Sequence, residues 1–131
     1  MRELPLVRVR VVVMVSAALA ALIRGAGYLV NPPGAGLTAL MSGLLPVTAW
    51  GWAWVAGAVV VLVGFWWRPV GRYALAFLAC MWFMWGVSYM LAGVTDSRFG
   101  LATGAGMVGY ALTLGAAGFV LARLEMGTKA R

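Results

Sequence analysis

Few side chains in this chain are able to act as acids, bases, nucleophiles or metal ligands. It has no histidine, one cysteine (Cys80) and three carboxylate side chains, those of Glu3, Asp96 and Glu125. Zinc, haem and non-haem iron sites need clusters of these residue types, and a catalytic serine or cysteine needs a neighbouring base. Glu3 and Glu125 fall in stretches that we expect to be flexible basic tails. The inventory therefore predicts a protein that is not an enzyme and that binds no metal or cofactor.

Arg24 is the most unusual charged residue, because it lies inside an apolar segment that ends near Val30. At 1.5 Å per residue it lies roughly 9 Å from that end. A cation at this depth in a membrane costs about 1–3 kcal/mol, less if the side chain extends towards the headgroups. Three interpretations are open: such an extension, a clamp to Asp96 or to the rings of Tyr28 and Tyr89, and a ligand-binding or gating arginine.

Trp82 and Trp85 form an aromatic stripe near the middle of the third apolar segment, too deep for an interfacial belt. Their indole N–H groups need carbonyl or hydroxyl partners if they are buried. We expect them to pack in the core against small residues of the first or fourth segment. The alternative is a groove for a lipid, a quinone or another hydrophobic ligand. Cys80, in the same segment, is expected to be a small buried hydrophobic residue.

Small residues recur at four-residue spacing in two segments. They are Ala17, Ala21 and Gly25 in the first segment, and Ala105, Gly109, Thr113 and Ala117 in the fourth. Lipid tails give helices no hydrophobic reason to associate, so close approach through small faces supplies the packing instead. Such faces predict contacts within one helix bundle or between copies in an oligomer. The fourth segment has small residues on more than one face and can serve both.

The elements that carry these residues follow from composition. Of the 131 residues, 64% are hydrophobic and 10% are charged, whereas soluble domains average about 25% charged residues. A spanning helix needs about 20 mostly apolar residues, and four segments qualify. They are about residues 11–30, 49–67, 73–93 and 100–121. We predict an all-α integral membrane protein with one transmembrane domain, residues 1–131.

The positive charges predict the orientation. Eight of them fall in the two tails and in the loop between the second and third segments. They are Arg2, Arg8, Arg10, Arg68, Arg72, Arg123, Lys129 and Arg131. Cytoplasmic loops retain Lys and Arg, so both termini are expected in the cytoplasm. Because these charges lie in short loops rather than on one basic surface, we expect lipid headgroups, and no nucleic acid, as their partners.

The connection at residues 31–48 would then lie outside. It carries no charge, begins with the helix-stopping Asn31-Pro32-Pro33-Gly34, and continues with an apolar stretch too short to span. This pattern predicts a short interfacial helix. Tryptophans at both ends of the second segment indicate interfacial belts. They are Trp50, Trp52 and Trp54 at the outer end, and Trp66 and Trp67 at the inner end.

Four short sequences carry a resemblance to a known group of proteins. They are Leu45-Pro46, Trp50-Gly51-Trp52-Ala53-Trp54, Gly71-Arg72-Tyr73-Ala74 and Trp85-Gly86-Val87-Ser88-Tyr89. With the four segments and the basic C-terminal tail, they resemble small four-helix membrane proteins of actinobacterial phages, some of which are regarded as holins. The resemblance implies no active-site residues. It implies self-association in the bacterial cytoplasmic membrane of the host, which is permeabilised during phage lysis.

Two other functions stay open at this point. The chain would act as an accessory subunit of a larger membrane complex, or as a superinfection-exclusion protein, if its small faces bind a foreign membrane protein instead of a second copy. It would act as a carrier or channel for a small hydrophobic molecule if Arg24 and the aromatic stripe form a binding site.

Overall fold

The computed structural model describes residues 3–33, 40–95 and 98–129. It contains four long helices. They are α1 (Glu3–Val30), α2 (Val47–Val63), α3 (Arg68–Thr95) and α4 (Arg98–Lys129). Residues 40–42 form a further helical turn before α2. No strand occurs in the described part of the chain, so the prediction of an all-helical protein is confirmed.

Three of the helices contain stretches long and apolar enough to cross a membrane: Pro5–Val30, Arg68–Thr95 and Gly100–Gly127. The predicted spans 11–30, 73–93 and 100–121 lie within them. α2 is apolar but has only 17 residues, which is about 25 Å at 1.5 Å per residue. It ends four residues before the boundary predicted at residue 67, because a turn at residues 64–66 leads into α3.

Glycines set the distance between neighbouring helices. A Cβ added to Gly25 of α1 would lie 2.8 Å from the carbonyl oxygen of Gly51 in α2. A Cβ added to Gly86 of α3 would lie 2.9 Å from the carbonyl oxygen of Gly104 in α4. Both distances are too short for a side chain. Glycine therefore allows the backbones of the two helix pairs to touch, a close approach that is common between membrane helices.

The core is built from large side chains, and the outer surface is equally apolar. Trp54, Trp85 and Leu78 are completely buried. On the outside, side chains such as Ile23 and Leu112 are 66% and 64% exposed, a surface that lipid covers better than water does. These features are consistent with a membrane protein. Cys80 is exposed on α3, so the expectation that it is buried is wrong.

Candidate functional site

A charged cluster joins all four helices at one end of the bundle. Its centre is the carboxylate of Glu125 on α4, a residue that is only 5% exposed. Arg72 of α3 donates to it from Nε at 3.2 Å and from Nη2 at 2.7 Å. Arg10 of α1 places Nη1 3.4 Å from the same carboxylate and donates from Nη2 to the Gly64 carbonyl oxygen, just after α2, at 2.6 Å.

The expectation that Glu125 lies in a flexible tail is therefore wrong. α4 continues to Lys129, and Glu125 falls on the same buried face as Leu114 and Leu121. The repeat of buried positions at i, i+3 or i+4 along α4 is the signal that could have found it. A buried carboxylate is tolerated here because two guanidinium groups compensate its charge.

Towards the other end of the bundle lies a groove that we call the arginine–aromatic groove. Its volume is about 470 Å³. Its lining residues are Ala20, Ile23, Arg24, Gly27, Tyr28, Asn31, Pro33, Trp82 and Tyr89. Arg10 and Arg24 are separated by roughly 21 Å along α1 at 1.5 Å per residue, so the groove and the charged cluster are well apart.

The guanidinium group of Arg24 lies between two aromatic rings of the groove. It is 5.1 Å from the ring centroid of Trp82 and 5.7 Å from that of Tyr28. Of the two tyrosines named from the sequence, Tyr28 makes this contact, while Tyr89 lines the same groove. Asp96, the acidic candidate for the clamp, lies outside the described residues. Cation–π contacts of this kind contribute about 0.5–2 kcal/mol each.

The two tryptophans of the stripe pack against other aromatic side chains. The ring of Trp82 lies 4.9 Å from that of Trp54 in α2 and 4.9 Å from that of Tyr110 in α4. Trp54 is completely buried, so its assignment to an interfacial belt is wrong. Sequence reasoning also missed Tyr110, because the spacing within one helix does not reveal which ring of another helix it meets.

Trp85 forms a second aromatic group, nearer the end of the bundle. Its ring lies 4.7 Å from that of Tyr28 and 6.2 Å from that of Tyr89. Trp50 meets it edge-on at 6.0 Å and donates from Nε1 to the Met41 carbonyl oxygen at 2.9 Å. The turn at residues 40–42 is thereby fixed to the aromatic core.

Several buried polar atoms of this region have no hydrogen-bond partner among the described residues. They are Tyr28 Oη, Trp54 Nε1, Trp82 Nε1, Trp85 Nε1 and Ser88 Oγ. An unsatisfied buried group costs about 1–3 kcal/mol, so a cluster of them is unusual in a structural core. Two of the five, from Tyr28 and Trp82, belong to residues that line the groove.

The two small-residue faces have different environments. On α1, Ala17 and Ala21 are completely buried, and Gly25 lies in the contact with α2. On α4, the face points away from the bundle. Ala105, Gly109 and Thr113 are exposed and Ala117 is half-buried. A Cβ added to Gly109 would meet no atom within 4 Å.

Among the residues that the structure describes, no three His, Cys, Asp or Glu side chains lie close enough together to hold a metal ion. The groove, the charged cluster and the outward face of α4 carry the polar groups and the small-residue repeat that sequence analysis singled out. Comparison with protein-family models, with curated proteins and with solved structures finds no match to this chain.

Proposed function

We propose that this chain is a non-enzymatic membrane protein whose copies associate through α4 and, in the manner of holins, permeabilise the cytoplasmic membrane of a bacterial host. The observation that carries the proposal is the outward face of α4. It presents Ala105, Gly109 and Thr113 away from the bundle, although residues of this size normally mark a helix–helix contact in membranes. A second copy would bring its own small face against this one.

Four crossings with both termini in the cytoplasm are part of the proposal. The charged cluster supports them, because it joins the N-terminal parts of α1 and α3 to the C-terminal ends of α2 and α4. The short α2 is flanked by the exposed Trp66 and Trp67, which suit the headgroup region. A bilayer accommodates a helix a few ångströms too short by local thinning, at modest cost.

The orientation is tested with reporters. A green fluorescent protein fused after residue 131 is expected to fluoresce, and an alkaline phosphatase inserted in the 31–48 connection is expected to be active. The opposite pair of results would contradict the orientation but leave the association through α4 to be tested separately.

Association is tested by comparing two substitutions on α4. Gly109→Leu fills the outward small face and is expected to weaken self-association about tenfold, equivalent to about 1.4 kcal/mol. Gly115→Leu is the matched control, because an added Cβ at Gly115 also meets nothing within 4 Å but lies on another side of the helix. Fluorescence energy transfer between labelled copies in liposomes measures the difference. If self-association weakens equally in both variants, or in neither, the copies do not associate through the outward face of α4.

Permeabilisation is tested by inducible expression with dye uptake. Cells that produce the wild-type chain or Gly115→Leu are expected to admit dye abruptly once the protein has accumulated. Cells that produce Gly109→Leu are expected to admit dye later or not at all. Cells that still exclude the dye at high expression would contradict the holin-like function. Recovery of a stoichiometric foreign membrane protein in mild detergent would instead favour the accessory-subunit or exclusion function.

A further inference from the structure

We propose that the arginine–aromatic groove binds the phosphate of an anionic phospholipid, with Arg24 as its counter-ion. The proposal goes beyond self-association, since it depends on residues of α1 and α3 and not on the outward face of α4. It is carried by the hydrogen-bonding character of the groove, by the surroundings of Arg24, and by the size and position of the opening.

Three of the residues that line the groove, Arg24, Tyr28 and Trp82, carry hydrogen-bond donors. The guanidinium group of Arg24 and the indole N–H of Trp82 can only donate, and the Tyr28 hydroxyl can donate as well. The Trp82 indole nitrogen is buried and has no partner among the described residues, and the buried Tyr28 hydroxyl lies within hydrogen-bonding reach of Tyr89 and Arg24. A phosphate accepts from Arg24 directly and, with several acceptor lone pairs, from the other two groups when their side chains turn towards it.

The surroundings of Arg24 also favour an anion. Its guanidinium lies over the rings of Trp82 and Tyr28, whose faces attract a cation but accept no conventional hydrogen bond. Glu125, the acid whose side chain the structure describes, lies in the charged cluster, and its partners there are Arg10 and Arg72. Among the residues that the structure describes, no acidic side chain lines the groove, and a bound phosphate would supply the negative charge.

The dimensions and position of the groove fit a lipid. Its volume of about 470 Å³ falls in the usual range of small-molecule sites, about 300–1,000 Å³, and gives room for a headgroup and the first part of an acyl chain. Ile23, which is 66% exposed, and the exposed Gly27 lie on its border, where the surface continues towards lipid. In the proposed orientation the site faces the outer leaflet.

Native mass spectrometry tests the site. Protein is released from bilayers of equal phosphatidylglycerol and phosphatidylcholine, and the retained lipids are counted. The wild type is expected to keep phosphatidylglycerol selectively, and Arg24→Gln to keep about tenfold less. Arg123→Gln is the matched control. Arg123 also stacks on a ring, 5.1 Å from the centroid of Phe119, but is exposed and outside the groove. Equal retention by Arg24→Gln and the wild type would overturn the proposal.

Tyr28→Phe gives an independent test that keeps the packing of the ring. If the hydroxyl binds phosphate, the variant retains about threefold less phosphatidylglycerol, and added phosphatidylglycerol raises its melting temperature less than that of the wild type. If the hydroxyl serves no ligand, the variant retains as much phosphatidylglycerol as the wild type, and added phosphatidylglycerol raises the melting temperature of both equally. The second result would overturn the proposal even if Arg24→Gln fails to fold.

Two further experiments identify the source of the negative charge. In uncharged detergent, short-chain phosphatidylglycerol is expected to stabilise the protein and inorganic phosphate alone to have no effect. A full effect of inorganic phosphate would overturn the assignment to a lipid. Phosphatidylglycerol retention that appears only in Asp96→Asn would identify Asp96 as the counter-ion of Arg24 and overturn the proposal as well.

Discussion

Arg72 donates two hydrogen bonds to one carboxylate oxygen of Glu125, which lies 53 residues further along the chain. The contact fixes the second turn of α3 to the last two turns of α4. Arg10 brings α1 and the end of α2 to the same point. One carboxylate thus determines how all four helices meet at this end of the bundle.

Replacing Glu125 by Gln is expected to lower the free energy of unfolding by about 2–4 kcal/mol, because two guanidinium groups lose the charge that compensates them. Reversible unfolding in mixed micelles measures the change. Arg123→Gln is the control, since Arg123 is exposed near the same end and its loss is expected to stay within about 0.5 kcal/mol. An unchanged stability in Glu125→Gln would mean that the cluster contributes nothing to the fold.

Replacing Arg10 by Lys is expected to lower stability by about 1 kcal/mol, although the positive charge is kept. The planar guanidinium of Arg10 contacts the Glu125 carboxylate and the Gly64 carbonyl together, and a single ammonium does not span both. Arg8→Lys, on an exposed position of the same helix, serves as the reference. If the two lysine variants unfold alike, the geometry of Arg10 is unimportant and only its charge matters.

Gly86→Ala and Gly106→Ala are expected to have opposite effects. At Gly86 the new methyl group would lie 2.8 Å from Val108 Cγ2 and 2.9 Å from the Gly104 carbonyl oxygen, so α3 and α4 must separate at a cost of about 1–3 kcal/mol. At Gly106 nothing lies within 4 Å, and alanine gains about 0.5–1 kcal/mol from helix propensity. Thermal unfolding of the two variants in the same detergent measures the change in melting temperature. Shifts of the same sign in both variants would contradict the described contact.

Trp50→Phe removes the hydrogen bond from Nε1 to the Met41 carbonyl oxygen and is expected to cost about 1 kcal/mol. The same carbonyl accepts from the backbone N–H groups of Leu44 and Leu45, so amide hydrogen exchange should accelerate there. Trp52→Phe, at a position that is 63% exposed, should leave both properties unchanged. Unaltered exchange at Leu44 and Leu45 in Trp50→Phe would show that the indole does not hold this turn.

The long apolar helices could be predicted because length and hydropathy alone identify them. Residues 11–30, 73–93 and 100–121 all lie within helices of the structure. The end of α2 could not be predicted from the sequence. Trp66 and Trp67 extend the apolar run past Val63, although the backbone has already left the helix there. Apolar residues at a membrane interface do not distinguish helix from turn.

Contacts between helices could not be predicted from the sequence, because they depend on how each helix is rotated about its axis and on its position along the bundle. Arg24 meets Tyr28, as the sequence suggested, but it also meets Trp82 of α3, which the sequence did not suggest as a partner. The faces at Ala17 and at Gly109 have the same small-residue repeat, yet one is buried and the other is exposed. Glu125 continues the repeat of Leu114 and Leu121 along α4, but this repeat does not reveal which residues of other helices meet it. Its burial depends on Arg10 and Arg72 being brought to it by the fold.

The order of the residues in the charged cluster has a consequence for biosynthesis. Arg10 and Arg72 emerge from the ribosome before Glu125, so a nascent chain that ends before α4 carries two arginines without the carboxylate that joins them. The arrival of α4 closes the cluster and locks both ends of the polypeptide into the bundle. Docking of the last helix thus becomes the step that commits a newly made copy to its mature form.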